Sequence, residues 1–137
     1  MDLRERITRQ LIDHGVRPTK QRVDLALQVL ANPCHFSAEQ LLGRLRGAGT
    51  RISKATVYNT LSLFSRHGLL KEIAIDPERL VYDSRTTPHH HFYNVTTGEL
   101  TDIDQDAIAV GRLPALPAAT EAESVEVLIR VHARTAN

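Results

Sequence analysis

Apolar side chains recur every three or four residues through the first half of the chain, the spacing that places them on one face of an α-helix. This periodicity predicts four helices, over residues 2–14, 20–30, 38–46 and 54–67. A residue that can cap a helix N-terminus precedes each of the last three helices. These caps are Thr19, Ser37 and Ser53. Glycine or an Asn-Pro pair ends each helix, so the boundaries are well marked.

The pattern then changes from helices to strands. Two apolar runs, residues 69–75 and 80–83, flank a four-residue turn and predict a β-hairpin with Arg79 at its tip. The third and fourth helices are joined by a short turn that contains glycine, as in a helix-turn-helix. Four helices followed by a hairpin predict a winged helix-turn-helix domain.

Residues 84–88 are polar, include a proline and predict a hinge. A second hairpin follows over 89–95 and 99–103, then a short helix over 104–111 and a strand over 124–132. The overall class is therefore α+β. We assign residues 1–84 to a winged-helix DNA-binding domain, 85–88 to the hinge, and 89–137 to a small α/β dimerisation and sensing domain. About 50 residues bury little surface alone, so pairing of two copies would supply the missing core.

The formal net charge of +1 hides a strong asymmetry. Up to Lys71 the chain has 12 Lys and Arg against 5 Asp and Glu, whereas from Glu72 onward it has 5 against 11. A basic first half favours a polyanionic partner, although a solvated basic surface is the simpler alternative. Double-stranded DNA fits this half best, because the outward face of the fourth helix is small or hydrogen-bonding.

The residues predicted to face DNA lie at the start of the second helix, along the fourth helix and at the hairpin tip. They are Arg17, Lys20, Arg22, Lys54, Ala55, Thr56, Tyr58, Asn59 and Arg79. Basic side chains beside a helix N-terminus suit phosphate, and asparagine can pair with an adenine edge.

Three consecutive histidines, His89, His90 and His91, begin the second hairpin. In a strand, His89 and His91 share one face and His90 takes the other. Two imidazoles one pleat apart can bind one metal ion. A polar loop is the alternative, whereas a purification tag would stand at a chain end.

Other features bound the class of protein. Cys34 is the only cysteine, which excludes an intrachain disulfide and a cysteine-cluster zinc site and favours a cytoplasmic protein. We expect no secretory signal and no membrane association, because no apolar run approaches the length of a membrane span.

Several runs of residues, in this order and spacing, resemble the ferric uptake regulator (Fur) superfamily over nearly the whole chain. They are Gly15–Arg22, His35–Glu39, Ala55–Leu61, Gly68–Leu70 and the histidine triplet. Within the superfamily, Ala55–Leu61, Glu72–Asp76 and His89–Phe92 are most similar to the haem-responsive iron response regulator (Irr) branch. The resemblance implies a dimeric regulator that binds palindromic A/T-rich operators and controls iron and haem genes.

The resemblance also implies a regulatory site for one divalent metal ion per chain, Fe²⁺, Mn²⁺ or Zn²⁺. Its ligands map onto His35, Asp83, His89 and His91, which lie on both sides of the hinge. Metal bound across the hinge would fix the angle between the domains. His90 is the candidate haem or second-site ligand.

The same resemblance gives Arg17 the role of a minor-groove contact and Tyr58 that of a base-reading residue. The paired Cys-x-x-Cys of the family is replaced by Asn94–Thr97, so a structural four-cysteine zinc site is not expected. Asp102 and Glu99 could offer carboxylates near the histidine triplet.

Two other classes of function are the alternatives. An enzyme is not expected, because the sequence has neither a Gly-x-Ser-x-Gly motif nor a phosphate-binding loop. A metal- or haem-binding protein that does not act through DNA would explain the histidines but not the basic half.

Overall fold

The computed structural model describes residues 1–76 and 78–135. The chain divides into two compact units, Met1–Thr86 and Thr87–Asn137. The first unit contains four helices and a small sheet, and the second contains a sheet of three strands. These elements confirm the α+β class.

The helices of the first unit are α1 (Leu3–Asp13), α2 (Lys20–Val29), α3 (Ala38–Gly47) and α4 (Lys54–Arg66). The predicted caps are confirmed: Thr19, Ser37 and Ser53 each accept a hydrogen bond from the backbone N–H three residues later. The side chain of Gln40 in turn accepts a hydrogen bond from the backbone N–H of Ser37, which completes a capping box. Each helix therefore starts where a short polar side chain satisfies an otherwise unpaired backbone donor.

One continuous apolar core joins these four helices. The side chains that are fully shielded from solvent include Leu11, Leu25, Phe36, Leu41, Leu45, Leu61 and Phe64. Every helix contributes buried apolar side chains to this core, as expected of helices with one apolar face.

The sheet of the first unit has the order β1-β3-β2, with β1 at His35–Phe36, β2 at Lys71–Asp76 and β3 at Arg79–Asp83. Strands β2 and β3 form the predicted hairpin, and a bulge interrupts their pairing near its tip. The two-residue strand β1 was not predicted from the sequence. Its antiparallel pairing with β3 places His35 directly opposite Asp83.

In the second unit, β4 (His89–Asn94) lies between β5 (Leu100–Asp104) and β6 (Leu128–Val131). Strands β4 and β5 are antiparallel, which confirms the second hairpin. Strand β6 runs parallel to β4, with Phe92 opposite Ile129. The long segment 108–127 between the last two strands contains no helix or strand.

Two predictions for the second unit are wrong. Residues 104–111 do not form an α-helix; only a 3₁₀ turn, Gln105–Ala107, is present, with no side-chain cap and no buried residue to hold a helix in place. The last strand covers Leu128–Val131 rather than 124–132. Val125 is exposed, since the residues before β6 have no full ladder partner there.

None of the helices in the described part of the chain has the length and apolar character that a membrane span requires.

Candidate metal centre and DNA-facing helix

In the second unit, two imidazoles and a carboxylate meet in one place. His89 and His91 are 1% and 3% exposed and lie on the same face of β4, as the strand periodicity predicts. Asp102 stands directly opposite His91 on the neighbouring strand. Its Oδ1 lies 3.4 Å from Nε2 of His89 and 3.3 Å from Nε2 of His91.

These distances suit a metal ion. Two ligand atoms that each lie about 2.1 Å from one tetrahedral ion are separated by roughly 3.4 Å. Asp102 has this spacing to both histidines, and all three donor atoms lie within 4.8 Å of one another. Their types match the imidazole and carboxylate ligands of Fe²⁺, Mn²⁺ and Zn²⁺. The residues present therefore fit a divalent metal.

A backbone carbonyl group fixes the orientation of the His89 ring. Its Nδ1 lies 2.6 Å from the carbonyl oxygen of Thr87, and a ring nitrogen that faces a carbonyl must carry a proton and donate it. The other nitrogen, Nε2, then keeps its lone pair and points to Asp102. Histidines that bind metals usually have such a carbonyl partner, because it selects the tautomer that can act as a ligand.

His90 lies on the opposite face of β4 and is also buried. Its Nδ1 accepts a hydrogen bond of 2.9 Å from the backbone N–H of Val127. A neutral imidazole that accepts at Nδ1 carries its proton at Nε2, so Nε2 has no lone pair to offer an iron or other metal ion. The contact gives His90 a structural role, which is to hold the chain just before β6.

The first unit contains the two other predicted metal ligands as a pair. His35 Nε2 lies 3.1 Å from Oδ2 of Asp83, because β1 and β3 place the two residues opposite each other. Asp83 is only 1% exposed, and its other oxygen accepts the backbone N–H of Arg85 at 2.9 Å. Within this unit, the pair offers one imidazole and one carboxylate, which are donor types that divalent metal ions bind.

Helix α4 presents a polar face to solvent. Lys54, Ala55, Tyr58 and Asn59 are exposed, whereas Val57 and its apolar neighbours are buried in the core. The helix therefore has the two faces that the sequence predicts. Contacts of the outer residues with DNA remain predictions.

A groove runs between the start of α2 and the middle of α4. Its lining residues are Thr19, Lys20, Gln21, Arg22, Thr56, Asn59, Thr60 and Leu63. Two of the predicted cations already have partners here: Lys20 Nζ lies 3.0 Å from Asp24, and Arg22 donates to the carbonyl of Arg17 at 3.0 Å. Arg17 and Arg79 are exposed outside the groove.

The Asp24 carboxylate also binds Arg4, at 3.1 Å. Partial burial by itself would raise the pKa of Asp24, but the hydrogen bonds from Lys20 and Arg4 outweigh it and lower that pKa. Asp24 thus holds the start of α2 against α1.

Two residues join the sites beyond those that the sequence predicts. The sequence indicates Asp102 only as a carboxylate near the histidine triplet, and its place opposite His91 follows from the hairpin register. Glu39, on α3, accepts a hydrogen bond from the hydroxyl of Tyr58. No local pattern indicates that contact, because 19 residues separate the two positions.

The fold and the sites together define a winged-helix protein with histidine–carboxylate clusters. A family model described as "Ferric uptake regulator family" matches residues 13–128. The chain belongs to this family.

Several known proteins are similar to the chain. It is 32% identical over 92 residues to the peroxide operon regulator of Bacillus subtilis, a match that spans 67% of this chain and 63% of that protein. It is 33% identical over 104 residues to the ferric uptake regulation protein of Synechococcus elongatus, over 72% and 70% of the two chains. The ferric uptake regulator of Pseudomonas aeruginosa, solved with manganese, has the same fold, with a TM-score of 0.69, 24% identity and coverage of 94% and 98%.

Proposed function

We propose that this chain is a metal-responsive transcription regulator rather than an enzyme. In this proposal it acts in the cytoplasm as a homodimer, binds palindromic A/T-rich operators through its first unit, and controls genes of iron and haem metabolism. The observation that carries the proposal is the buried cluster of His89, His91 and Asp102 in a chain of this family. Buried imidazoles that meet a carboxylate at metal-ligand spacing are costly to retain without a binding role.

The DNA-facing part of the proposal rests on α4. Its exposed face combines Lys54, which can contact phosphate, with Tyr58 and Asn59, which can read base edges in the major groove. The groove beside it adds the N-terminus of α2, where backbone N–H groups favour phosphate.

The metal-binding part extends the ligand set to both units. We propose that His35 and Asp83 join His89 and His91 at one ion per chain, with Asp102 as a further ligand. Support comes from the donor count, because the described residues of neither unit alone offer a cluster of the four to six ligands that Fe²⁺, Mn²⁺ or Zn²⁺ prefers. Only residues 84–88 separate Asp83 from His89 in the chain. Such an ion would connect the two units and favour one arrangement for DNA binding.

Two more specific proposals are that the chain belongs to the iron response regulator branch and that it senses haem. They are supported by the Ala55–Leu61 and His89–Phe92 runs. To bind haem iron through Nε2, His90 would have to give up its bond with Val127. We therefore propose a divalent metal as the primary effector and treat haem as a separate arm of the test.

The experiment is selection of bound sequences from a pool of randomised duplexes, with the protein alone, with Mn²⁺, with Fe²⁺ under anaerobic conditions, and with haem. We expect an enriched palindrome and an affinity that changes at least about tenfold with one of the metals, which corresponds to roughly 1.4 kcal/mol of coupling. The variant His89→Ala/His91→Ala should lose this response.

The control is His132→Ala, which removes an exposed histidine after the last strand. It should respond to metal as the wild type does. Metal binding without any enriched duplex would instead support the alternative, a metal- or haem-binding protein that does not act through DNA. An unchanged response in the His89/His91 variant would refute the metal site.

A further inference from the structure

A hydrogen bond joins the two helices of the helix-turn-helix at its exposed surface. The hydroxyl of Tyr58 on α4 donates its proton to the carboxylate of Glu39 on α3. The ammonium group of Lys54 lies 5.8 Å from the centre of the Tyr58 ring, within range of a cation–π interaction. The base-reading residue is therefore held from two sides.

The bond changes what Tyr58 can offer to a ligand. A tyrosine hydroxyl has one proton and can also accept. Because that proton is engaged in the hydrogen bond to Glu39, the hydroxyl presents only lone pairs to the solvent. Hydrogen bonding from Tyr58 lowers the pKa of Glu39, so the carboxylate is the ionised acceptor at neutral pH, and the same bond raises the pKa of Tyr58, which keeps its proton.

A Tyr58 hydroxyl that can only accept hydrogen bonds is suited to base edges that donate and is not suited to phosphate. Phosphate oxygens only accept hydrogen bonds, so a hydroxyl whose proton is already used has nothing to donate to them. The adenine N6 and cytosine N4 amino groups do donate, and they point into the major groove. The Glu39 carboxylate, which carries a negative charge on the same surface, also repels phosphate.

We propose that Glu39 is a positioning residue that determines specificity. By accepting the hydrogen bond of the hydroxyl and fixing the side chain, it prevents Tyr58 from binding the phosphate backbone and directs it to base edges that donate. This inference rests on the proposed binding of DNA through α4. Glu39 touches no base itself; it acts through Tyr58 and lowers the general affinity for DNA in exchange for sequence preference.

The test uses full-length protein and the randomised duplex pool with wild type, Glu39→Ala, Tyr58→Phe and the double variant. Glu39→Ala should reduce the preference at one base pair of each half-site by about tenfold, and Tyr58→Phe should do the same. The double variant should lose no more than either single variant, since one contact is removed in all three.

Glu39→Gln separates the hydrogen bond from the charge. Its amide oxygen can still accept the tyrosine proton, so the base preference should be retained. Affinity for random duplexes should rise about two- to fivefold because the repulsive charge is gone. Glu72→Ala removes the same charge from β2 and should leave the base preference unchanged. Thermal unfolding of each variant checks that the first unit remains folded.

Additive losses in the double variant would overturn the inference, as would an unchanged base preference in Glu39→Ala or a lost one in Glu39→Gln. These results would leave the proposed function intact, because the wild type would still enrich a palindrome. If the wild type enriches no sequence, both the proposed function and this inference fail.

Discussion

Asp102 offers the sharpest test of the proposed metal centre, because one atom of its side chain faces both imidazoles. Asp102→Asn keeps the size of the side chain and removes its charge. Without metal the change should be small, since an amide can still make a hydrogen bond and 31% of the Asp102 side chain is exposed. With metal, loss of the proposed anionic ligand should weaken binding by at least about 10–100-fold, the cost typical of mutating residues that only support a metal ligand.

The expected magnitude follows from linkage. At a Mn²⁺ concentration about 100 times the wild-type Kd, binding stabilises the folded protein by about 2.7 kcal/mol. A tenfold weaker variant retains about 1.4 kcal/mol at the same concentration, and a 100-fold weaker one about 0.4 kcal/mol. For a chain of this size each kcal/mol moves the melting temperature by roughly 3–5 °C.

The assay is thermal unfolding followed by circular dichroism, with Mn²⁺ and with a chelator, for wild type and variant. The wild type should show a metal-dependent rise of roughly 10 °C, and Asp102→Asn should show less than about half of it. Asp106→Asn, which removes an exposed charge from the following 3₁₀ turn, is the matched control. If Asp102→Asn shows the full metal-dependent rise in melting temperature, the carboxylate of Asp102 is not a metal ligand. The approach of both imidazoles to its Oδ1 then has another cause.

Three further predictions concern the fold and its assembly. Asp24→Asn should cost only about 0.5–1 kcal/mol of unfolding free energy at pH 7, because the partners of Asp24 are largely exposed. The pKa of Asp24 in the folded protein is lowered from 3.8, so the difference in stability from wild type should be lost as the pH falls below 3.8 and the carboxylate becomes protonated. Urea unfolding at pH 7 and at pH 3 measures this loss. Phe64→Ala should cost about 3–5 kcal/mol, because this ring is fully buried in the core of the first unit, and equal unfolding midpoints in urea would contradict that. Phe92 and Ile129 are 39% and 36% exposed and adjacent on the sheet of the second unit, and we expect this apolar pair to lie in the proposed dimer interface. Phe92→Ser should therefore shift the mass measured by light scattering toward that of the monomer at micromolar concentration. An unchanged mass would exclude Phe92 from the interface.

The first unit was predictable from sequence because local signals determine it. Caps such as Thr19 and Ser53 act on backbone groups within three residues, and the apolar period needs no knowledge of distant partners. The pairing of His35 with Asp83 was different. A strand of two residues gives no periodic signal, so only the resemblance to a known family brought these residues together.

The register of the second hairpin shows where sequence reasoning stops. A three-residue turn at 96–98 would place His91 opposite Ile103. The actual connection pairs Tyr93 with Leu100 and so brings His91 opposite Asp102. A shift of one residue moves every side chain to the other face of the sheet, so the position of Asp102 opposite His91 could not be predicted without the turn geometry.

The long segment before β6 has a consequence for the order in which the second unit folds. The hairpin of β4 and β5 closes a short loop, whereas the parallel pairing of β6 with β4 closes a much longer loop that contains residues 108–127. Closing this longer loop costs more conformational entropy than closing the hairpin, although the cost grows only with the logarithm of loop length. Strand β6 should therefore dock late, with the bond between His90 and Val127 as its first anchor. Residues within 112–123 could be inserted or deleted at a cost of a few tenths of a kcal/mol, which makes this stretch a suitable place to attach a fluorophore that reports docking.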